Sequence, residues 1–159
     1  MTIHVAVCGP DPCSEEVARQ AEEIGRGLAR AGAIMVCGGL GGTMEAAARG
    51  ALAEGGLAVG LLPGSTRADA NPHLSVAIPT GMGEMRNALI VRAADALIAV
   101  AGEFGTLSEI AFALKTGVPV VGLGTWELSK GGRPAEPDPI VRVRSPDEAV
   151  AAALRLAHS

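Results

Sequence analysis

Tyrosine is absent from this 159-residue chain, and its only aromatic side chains are Phe104, Phe112 and Trp126. Single-stranded nucleic acid is commonly held on stacked aromatic platforms, so that mode of binding is excluded. A basic surface is missing as well. The 13 Lys and Arg residues stand against 17 Asp and Glu, a net charge of −4, which leaves no footprint for a phosphate backbone. No nucleic-acid partner is expected. Cys8, Cys13 and Cys37 form an odd set without a C-x-x-C pair, and His4, His73 and His158 are scattered. That argues against a disulfide framework and against a structural zinc site, and no metal ligands are assigned. Cys8 and Cys37 end apolar runs and read as small buried thiols. The longest apolar stretch, Ala88 to Ala101, is interrupted by Arg92 and Asp95 and is too short to span a bilayer. The opening MTIHVAVCGP has neither a basic start nor a long apolar run, so no signal peptide is read. No membrane partner and a cytoplasmic, reducing location are expected.

What the chain does have is 22 glycines, 10 prolines and 48% apolar residues. The length suits one domain, residues 1–159, with a core of Ala, Val, Leu and Ile. Short β-branched runs alternate with Ala-rich helical segments. Strands are expected at Ile3–Cys8, Ala33–Cys37, Leu57–Leu62, Leu74–Ile78, Ala96–Ala101 and Pro119–Leu123, with an edge strand at Ile140–Val143. Helices are expected from Ser14 to Ala31, Thr43 to Glu54, Met82 to Ala94, Thr106 to Thr116 and Ser145 to Ala157. Ser14 followed by two Glu, and Ser145 followed by Pro-Asp-Glu, are helix starts with an N-cap and acidic first turns. Residues 65–73 and 125–139 read as loops, the second one mobile. Continuously apolar strands separated by helices imply an α/β fold: a doubly wound, mostly parallel sheet of six or seven strands, Rossmann-like.

Ligands of such sheets bind outside the carboxyl ends of the strands. The glycines concentrate on that edge: Gly9, the run Gly38 to Gly42, Gly81, Gly102 and Gly105. Gly42-Thr43-Met44 and Gly105-Thr106-Leu107 echo one another, each opening a helix after a strand and a Gly-rich turn. A Thr cap and bare N–H groups there suit an anion, so a phosphate-bearing ligand is expected. Three nucleotide and acyl-transfer signatures are absent. G-x-G-x-x-G is not met, and no acid follows the third strand to hold a ribose diol. Neither Lys115 nor Lys130 completes a P-loop, and there is no G-x-S-x-G elbow.

Two charged residues fall on the same edge. Arg86, with Asn87 after it, lies one turn into the helix after Gly81, and Glu109 lies in the first turn of the helix after Gly105. An Arg can grip phosphate with two donors. A carboxylate beside a helix N-terminus should stay ionised. Together they suit cleavage of an N-glycosidic bond in a 5′-phosphorylated nucleoside. Taken singly, each has a plainer explanation: a first-turn acid complements the dipole, and a helical Arg is solvated.

The segments Gly81-Met82-Gly83-Glu84-Met85-Arg86-Asn87 and Gly102-Glu103-Phe104-Gly105-Thr106-Leu107-Ser108-Glu109 resemble the two signatures of the LONELY GUY family, M-x-x-R-K and P-G-G-x-G-T-x-x-E. The Cys37–Thr43 turn is similar to that family's glycine run. The resemblance extends from the first strand to the helix at Thr106. It implies a Rossmann-like fold, homo-oligomers (dimer or tetramer), and phosphoribohydrolase activity on nucleoside monophosphates. On these motifs the family's essential pair falls on Arg86 and Glu109, and its phosphate-binding Gly-Thr on Gly105 and Thr106. Asn87 stands in place of the family's Lys, Ala101 in place of its Pro, and Glu103 in place of its second Gly. The R-N form followed by G-T-L-S-E looks more like a neighbouring branch that includes molybdenum cofactor carrier proteins. That branch implies a bound, phosphate-bearing pterin and no required cofactor, the molybdenum cofactor being cargo. The superfamily's label "possible lysine decarboxylase" fails on chemistry, because neither lysine lies near the expected site to form a Schiff base. The expected catalytic residues are therefore Arg86 and Glu109. The expected ligand contacts are Gly9, Ser14, Gly38, Gly39, Gly41, Thr43, Met82, Asn87, Gly102, Gly105 and Thr106. With Phe104 the only aromatic foreseen at the site, weak selectivity for the base is expected.

Overall fold

The computed structural model describes residues 1–159. Seven parallel strands form one sheet: β1 (His4–Cys8), β2 (Ile34–Cys37), β3 (Ala58–Leu62), β4 (Val76–Pro79), β5 (Ala96–Val100), β6 (Val120–Leu123) and β9 (Ile140–Val143). Their spatial order is β4-β3-β2-β1-β5-β6-β9. The chain winds outward from β1 to one edge, returns to β5, and winds to the other edge. The direction reverses between β1 and β5, which places a crevice at their carboxyl ends.

Helices cover both faces. On one, α1 (Glu15–Arg30), α2 (Thr43–Ala53) and α5 (Pro146–Ala157) pack on Val5, Val7, Met35, Ile98, Val100 and Val121. On the other, α3 (Asn87–Arg92) and α4 (Phe104–Thr116) pack on Ala6, Val36, Leu97, Ala99 and Val120. Every residue of β5 is buried, since odd and even positions face different helical layers. β4 behaves otherwise. It is an edge strand, and Val76 and Ile78 are exposed. Pro79, which lacks a ladder donor, is tolerated at its end.

Small residues let α1 and α2 touch backbone to backbone. A Cβ on Gly25 would stand 2.0 Å from the carbonyl oxygen of Ala47, and one on Gly50 would stand 2.0 Å from that of Glu22. Ion pairs close the outer side: Arg26 bonds Glu22 and Glu54, and Arg49 bonds Glu22. The Ser14 and Ser145 caps form as expected, accepting from the N–H groups of Val17 and Glu148 at 3.2 Å each.

Two segments differ from the sequence expectation. Residues 82–94 do not make one helix. Gly81 and Gly83 have φ of +64° and +59°, so only a 3₁₀ turn, Gly83–Arg86, precedes the short α3. Residues 125–139 are not all loop, because β7 (Ser129–Lys130) pairs antiparallel with β8 (Arg133–Pro134). Two-residue strands carry no hydrophobic period to detect. No helix is long and apolar enough to cross a membrane.

Candidate functional site

The crevice at the β1/β5 switch has two parts. An inner pocket of about 110 Å³ is lined by Cys8, Gly9, Gly38, Met44, Arg86, Asn87, Gly105, Thr106 and Glu109, among others. It opens to an outer cleft of about 770 Å³, whose walls include Pro10, Asp11, Leu40, Pro63, Glu84, Met85, Glu103, Phe104 and Ser108.

One wall is the turn between β2 and α2, which the rest of the chain anchors at several points, although the N–H groups of Met44 and Glu45 in the first turn of α2 have no partner within the chain. Asn71 donates from its backbone to the Gly39 carbonyl at 3.0 Å and from its side chain to the Leu40 carbonyl at 2.9 Å. The Gly41 N–H donates to Asp11 Oδ2 at 3.2 Å. The Thr43 N–H and hydroxyl both donate to the Pro10 carbonyl, at 3.1 and 2.8 Å. The expectation that Thr43 caps α2 is therefore corrected. Gly42 is the N-cap, at φ +58°, and the Thr43 hydroxyl fastens the neighbouring turn instead. Gly9 lies against this wall, and a Cβ there would meet Thr43 at 2.6 Å and the Val100 carbonyl at 2.7 Å.

The opposite wall is the turn between β5 and α4, and it is open. Helix α4 begins at Phe104, after Glu103, with no side-chain cap. Its first intrahelical acceptor is the Glu103 carbonyl, bonded by Leu107. The N–H groups of Phe104, Gly105 and Thr106 consequently have no partner within the chain, nor does the Thr106 hydroxyl. A Cβ on Gly105 would meet nothing within 4 Å. Three free donors at the positive end of a 13-residue helix constitute an anion-binding turn. The backbone enters it under strain, with Ala101 at φ +49° and Gly102 at φ +135°.

Arg86 and Glu109 form the floor. Both are 7% exposed, so neither the solvated Arg nor the first-turn Glu of the sequence reading is found. Arg86 is held in place: Nε donates to the Leu61 carbonyl at 2.8 Å, Nη2 to the Gly38 carbonyl at 3.3 Å, and Nη1 to Asn87 Oδ1. It clasps the ends of β2 and β3, and only its remaining N–H groups are left for a ligand. Glu109 is the sixth residue of α4, because the helix starts two residues earlier than expected. It lies beyond the reach of the dipole's first turn and is buried. Burial pushes its carboxyl up to about 7, against the pull of Arg86 and of the Cys8 thiol beside it. The expectation of a fully ionised carboxylate is corrected accordingly. Burial and the nearby carboxylate push the Cys8 thiol well above its ordinary range, and burial pushes Cys37 up to about 12. Neither thiol is a nucleophile at neutral pH.

Of the expected site residues, the fold brings Gly9, Gly38, Arg86, Asn87, Gly105, Thr106 and Glu109 to the crevice. Thr43 stands directly behind Gly9. Ser14, Gly39, Gly41, Met82 and Gly102 do not line it. Ser14 is engaged as a cap, and Gly39, Gly41 and Gly102 shape the turns around the site. Sequence reasoning passed over Cys8, Met44, Asp11 and Ser108. Ser108 bridges Asn87 and the Gly105 carbonyl, at 3.3 and 2.7 Å. The G-T-L-S-E string was the available signal for it. Phe104 is not the lone aromatic, since Trp126 packs on it with ring centroids 5.6 Å apart.

Comparison with known proteins agrees with this architecture. The chain is similar over its whole length to the molybdenum cofactor binding protein of Rippkaea orientalis, at 29% identity and a TM-score of 0.88, covering 100% of this chain and 99% of that one. It is equally similar to the molybdenum cofactor carrier protein of Chlamydomonas reinhardtii, at 29% identity and a TM-score of 0.86, with both chains fully covered. An uncharacterised protein of Archaeoglobus fulgidus is 41% identical over 148 residues, covering 93% of this chain and 92% of that protein. The sequence model of the SLOG cluster4 family matches residues 2–150, and the chain belongs to that family.

Proposed function

We propose that this protein binds and carries a phosphate-bearing small molecule of the molybdenum cofactor or nucleotide type. The observation that carries the reading is the open first turn of α4, with three free N–H groups and a free hydroxyl at the crevice. The phosphate accepts from the N–H groups of Phe104, Gly105 and Thr106 and from the Thr106 hydroxyl. Arg86 supplies positive charge from the floor while holding β2 and β3 in register. The rest of the ligand occupies the outer cleft. The two molybdenum cofactor proteins that share the fold support the carrier reading. No three His, Cys, Asp or Glu side chains stand together as a metal site. Molybdenum would thus arrive ligated by its own pterin, as part of the cargo.

A second reading, hydrolysis of a nucleoside 5′-monophosphate to free base and ribose 5-phosphate, has one observation in its favour. Glu109 titrates near neutrality beside Arg86 at the crevice floor. In its ionised form it can take a proton from the water that adds to C1′ as the C1′–N bond breaks, and pass that proton to the nitrogen of the departing base, leaving free base, ribose 5-phosphate and the carboxylate restored. Calorimetry with molybdenum cofactor and nucleoside monophosphates, alongside chromatography for free base, separates the readings. Stoichiometric binding without base release supports the carrier. Base release that disappears in Glu109→Gln supports the hydrolase. Absence of binding by every phosphorylated ligand overturns both.

A further inference from the structure

Phe104 is 76% exposed, an unusual state for a large apolar ring in a chain with so few. It is not loosely placed. Trp126 backs it at a 36° interplanar angle. Trp126 is itself tied at two points: its Nε1 donates to the Glu103 carbonyl at 3.1 Å, and its carbonyl accepts from Arg142 Nη1 at 2.7 Å. Arg142 is held in turn by Asp138, at 2.8 Å. The Thr125 hydroxyl donates to the carbonyl of the strained Ala101. The segment after β6 thus braces the aromatic pair against the start of α4.

Phe104 faces the outer cleft, whose volume of about 770 Å³ is seven times the 110 Å³ of the inner pocket. A bulky group has room only there. The charged residues of that cleft are Asp11, Glu84 and Glu103, against the single, buried and hydrogen-bonded Arg86. Three carboxylates repel a second anionic group at the rim and leave a neutral, flat ring as the suitable occupant. Phe104 also supplies both its ring and the first free N–H of α4, so a ring site and a phosphate site adjoin within one residue.

We propose that the braced Phe104–Trp126 pair is a stacking ledge for the fused heterocycle of the ligand whose phosphate lies on the first turn of α4. This deepens the carrier reading and rests on its phosphate site. Phe104 is then the residue that distinguishes ring-bearing phosphates from ring-less ones.

The test uses GMP, whose fused amino-lactam ring resembles a pterin, against ribose 5-phosphate, which has no ring. Both are titrated calorimetrically and by the fluorescence of Trp126, the only tryptophan. GMP is expected to bind on the order of ten-fold more tightly than ribose 5-phosphate. Phe104→Ala should bring GMP affinity down to that of ribose 5-phosphate, and Phe104→Tyr should restore the difference. Trp126 fluorescence should respond to GMP and not to ribose 5-phosphate. Equal binding of the two ligands, unaffected by Phe104→Ala, removes the ledge and leaves the phosphate site standing. Binding by neither removes both. A change of oligomeric state in Phe104→Ala, with GMP affinity intact, makes the patch a contact between copies and overturns the ledge.

Discussion

The two Gly-Thr turns read almost identically in sequence, and the fold uses them in opposite ways. At the start of α2, Pro10, Asp11 and Asn71 meet four backbone groups of the turn, Thr43 directs its hydroxyl into the structure, and only the N–H groups of Met44 and Glu45 stay unpaired in the first helical turn. At the start of α4, three N–H groups and a hydroxyl are left unpaired beside a cleft. The first turn is tied to the rest of the chain by its threonine, and the second is not. The difference lies outside the turns. Pro10-Asp11, at the end of β1, reaches α2 and not α4. A local motif therefore defines an anion site only when no other part of the chain supplies the anion's oxygens first.

The comparison can be tested most directly at Arg86, which ties the ends of β2 and β3 together at the floor between the two turns. Arg86→Ala leaves the Leu61 and Gly38 carbonyls without their donor. A loss of roughly 3–5 kcal/mol in unfolding free energy is expected, at about 1–3 kcal/mol for each buried polar group left unpaired and more for the lost charge. Denaturant titration measures it. A variant of wild-type stability would show that Arg86 does not hold β2 and β3 together and serves the ligand alone.

Next in size is Glu109. Its folded pKa, about 7, lies above its ordinary 4.5, so the folded state holds the proton more tightly. Stability should therefore be undiminished below pH 4.5 and decline as the pH rises from 4.5 to 7, by about 3 kcal/mol in all at 1.36 kcal/mol per unit. Glu109→Gln should flatten that decline and raise the melting temperature at pH 8. A wild-type profile that is flat across the window would show the carboxyl to be ionised throughout.

Glycine substitutions come third, and the two walls should respond with opposite sign. Gly42→Ala places a Cβ 2.6 Å from the Pro10 carbonyl at φ +58°. It should cost about 2 kcal/mol or more. Gly105→Ala meets nothing and lies inside a helix, so a gain of about 0.5–1 kcal/mol is expected, with phosphate affinity reduced by the methyl group in the crevice. Equal destabilisation by both would erase the distinction between the walls.

The smallest effects belong to the threonines. Thr43→Val should lose about 1 kcal/mol of stability, the worth of one buried hydrogen bond, with ligand affinity preserved. Thr106→Val should change stability by less than about 0.5 kcal/mol, as expected away from any bonded partner, and lower phosphate affinity several-fold. Reversal of that pattern would exchange the roles of the two turns.

How much of this was legible beforehand follows the physics of each feature. The strands of the sheet, the two serine caps and the concentration of glycines at one edge come from short-range signals, namely hydrophobic runs and turn chemistry. From the sequence, Arg86 was placed only as far as the strand-end edge after Gly81, where a 3₁₀ turn carries it and not the expected helix. Its engagement with Leu61 and Gly38 was not legible, because those carbonyls come from strands distant in sequence. Glu109 was misread as a first-turn acid because the start of α4 is set by Ala101 and Gly102, held by Leu123 and Thr125, and not by a Thr cap. Its burial, and so its raised pKa, depends on β1 lying next to β5. Trp126 was invisible for the same reason: the segment that carries it had no period to read.

The contact of α1 and α2 through Gly25 and Gly50 has a mechanical consequence for the crevice. With two backbones in contact and ion pairs along their outer side, these helices form a plate that has no slack for sliding. The turn before α2 joins that plate through Thr43, the first residue of α2, whose N–H and hydroxyl both donate to Pro10. The α4 wall has a different support: a turn with Ala101 at φ +49°, braced by the segment after β6. Cross-linking α1 to α2 should therefore leave ligand affinity untouched.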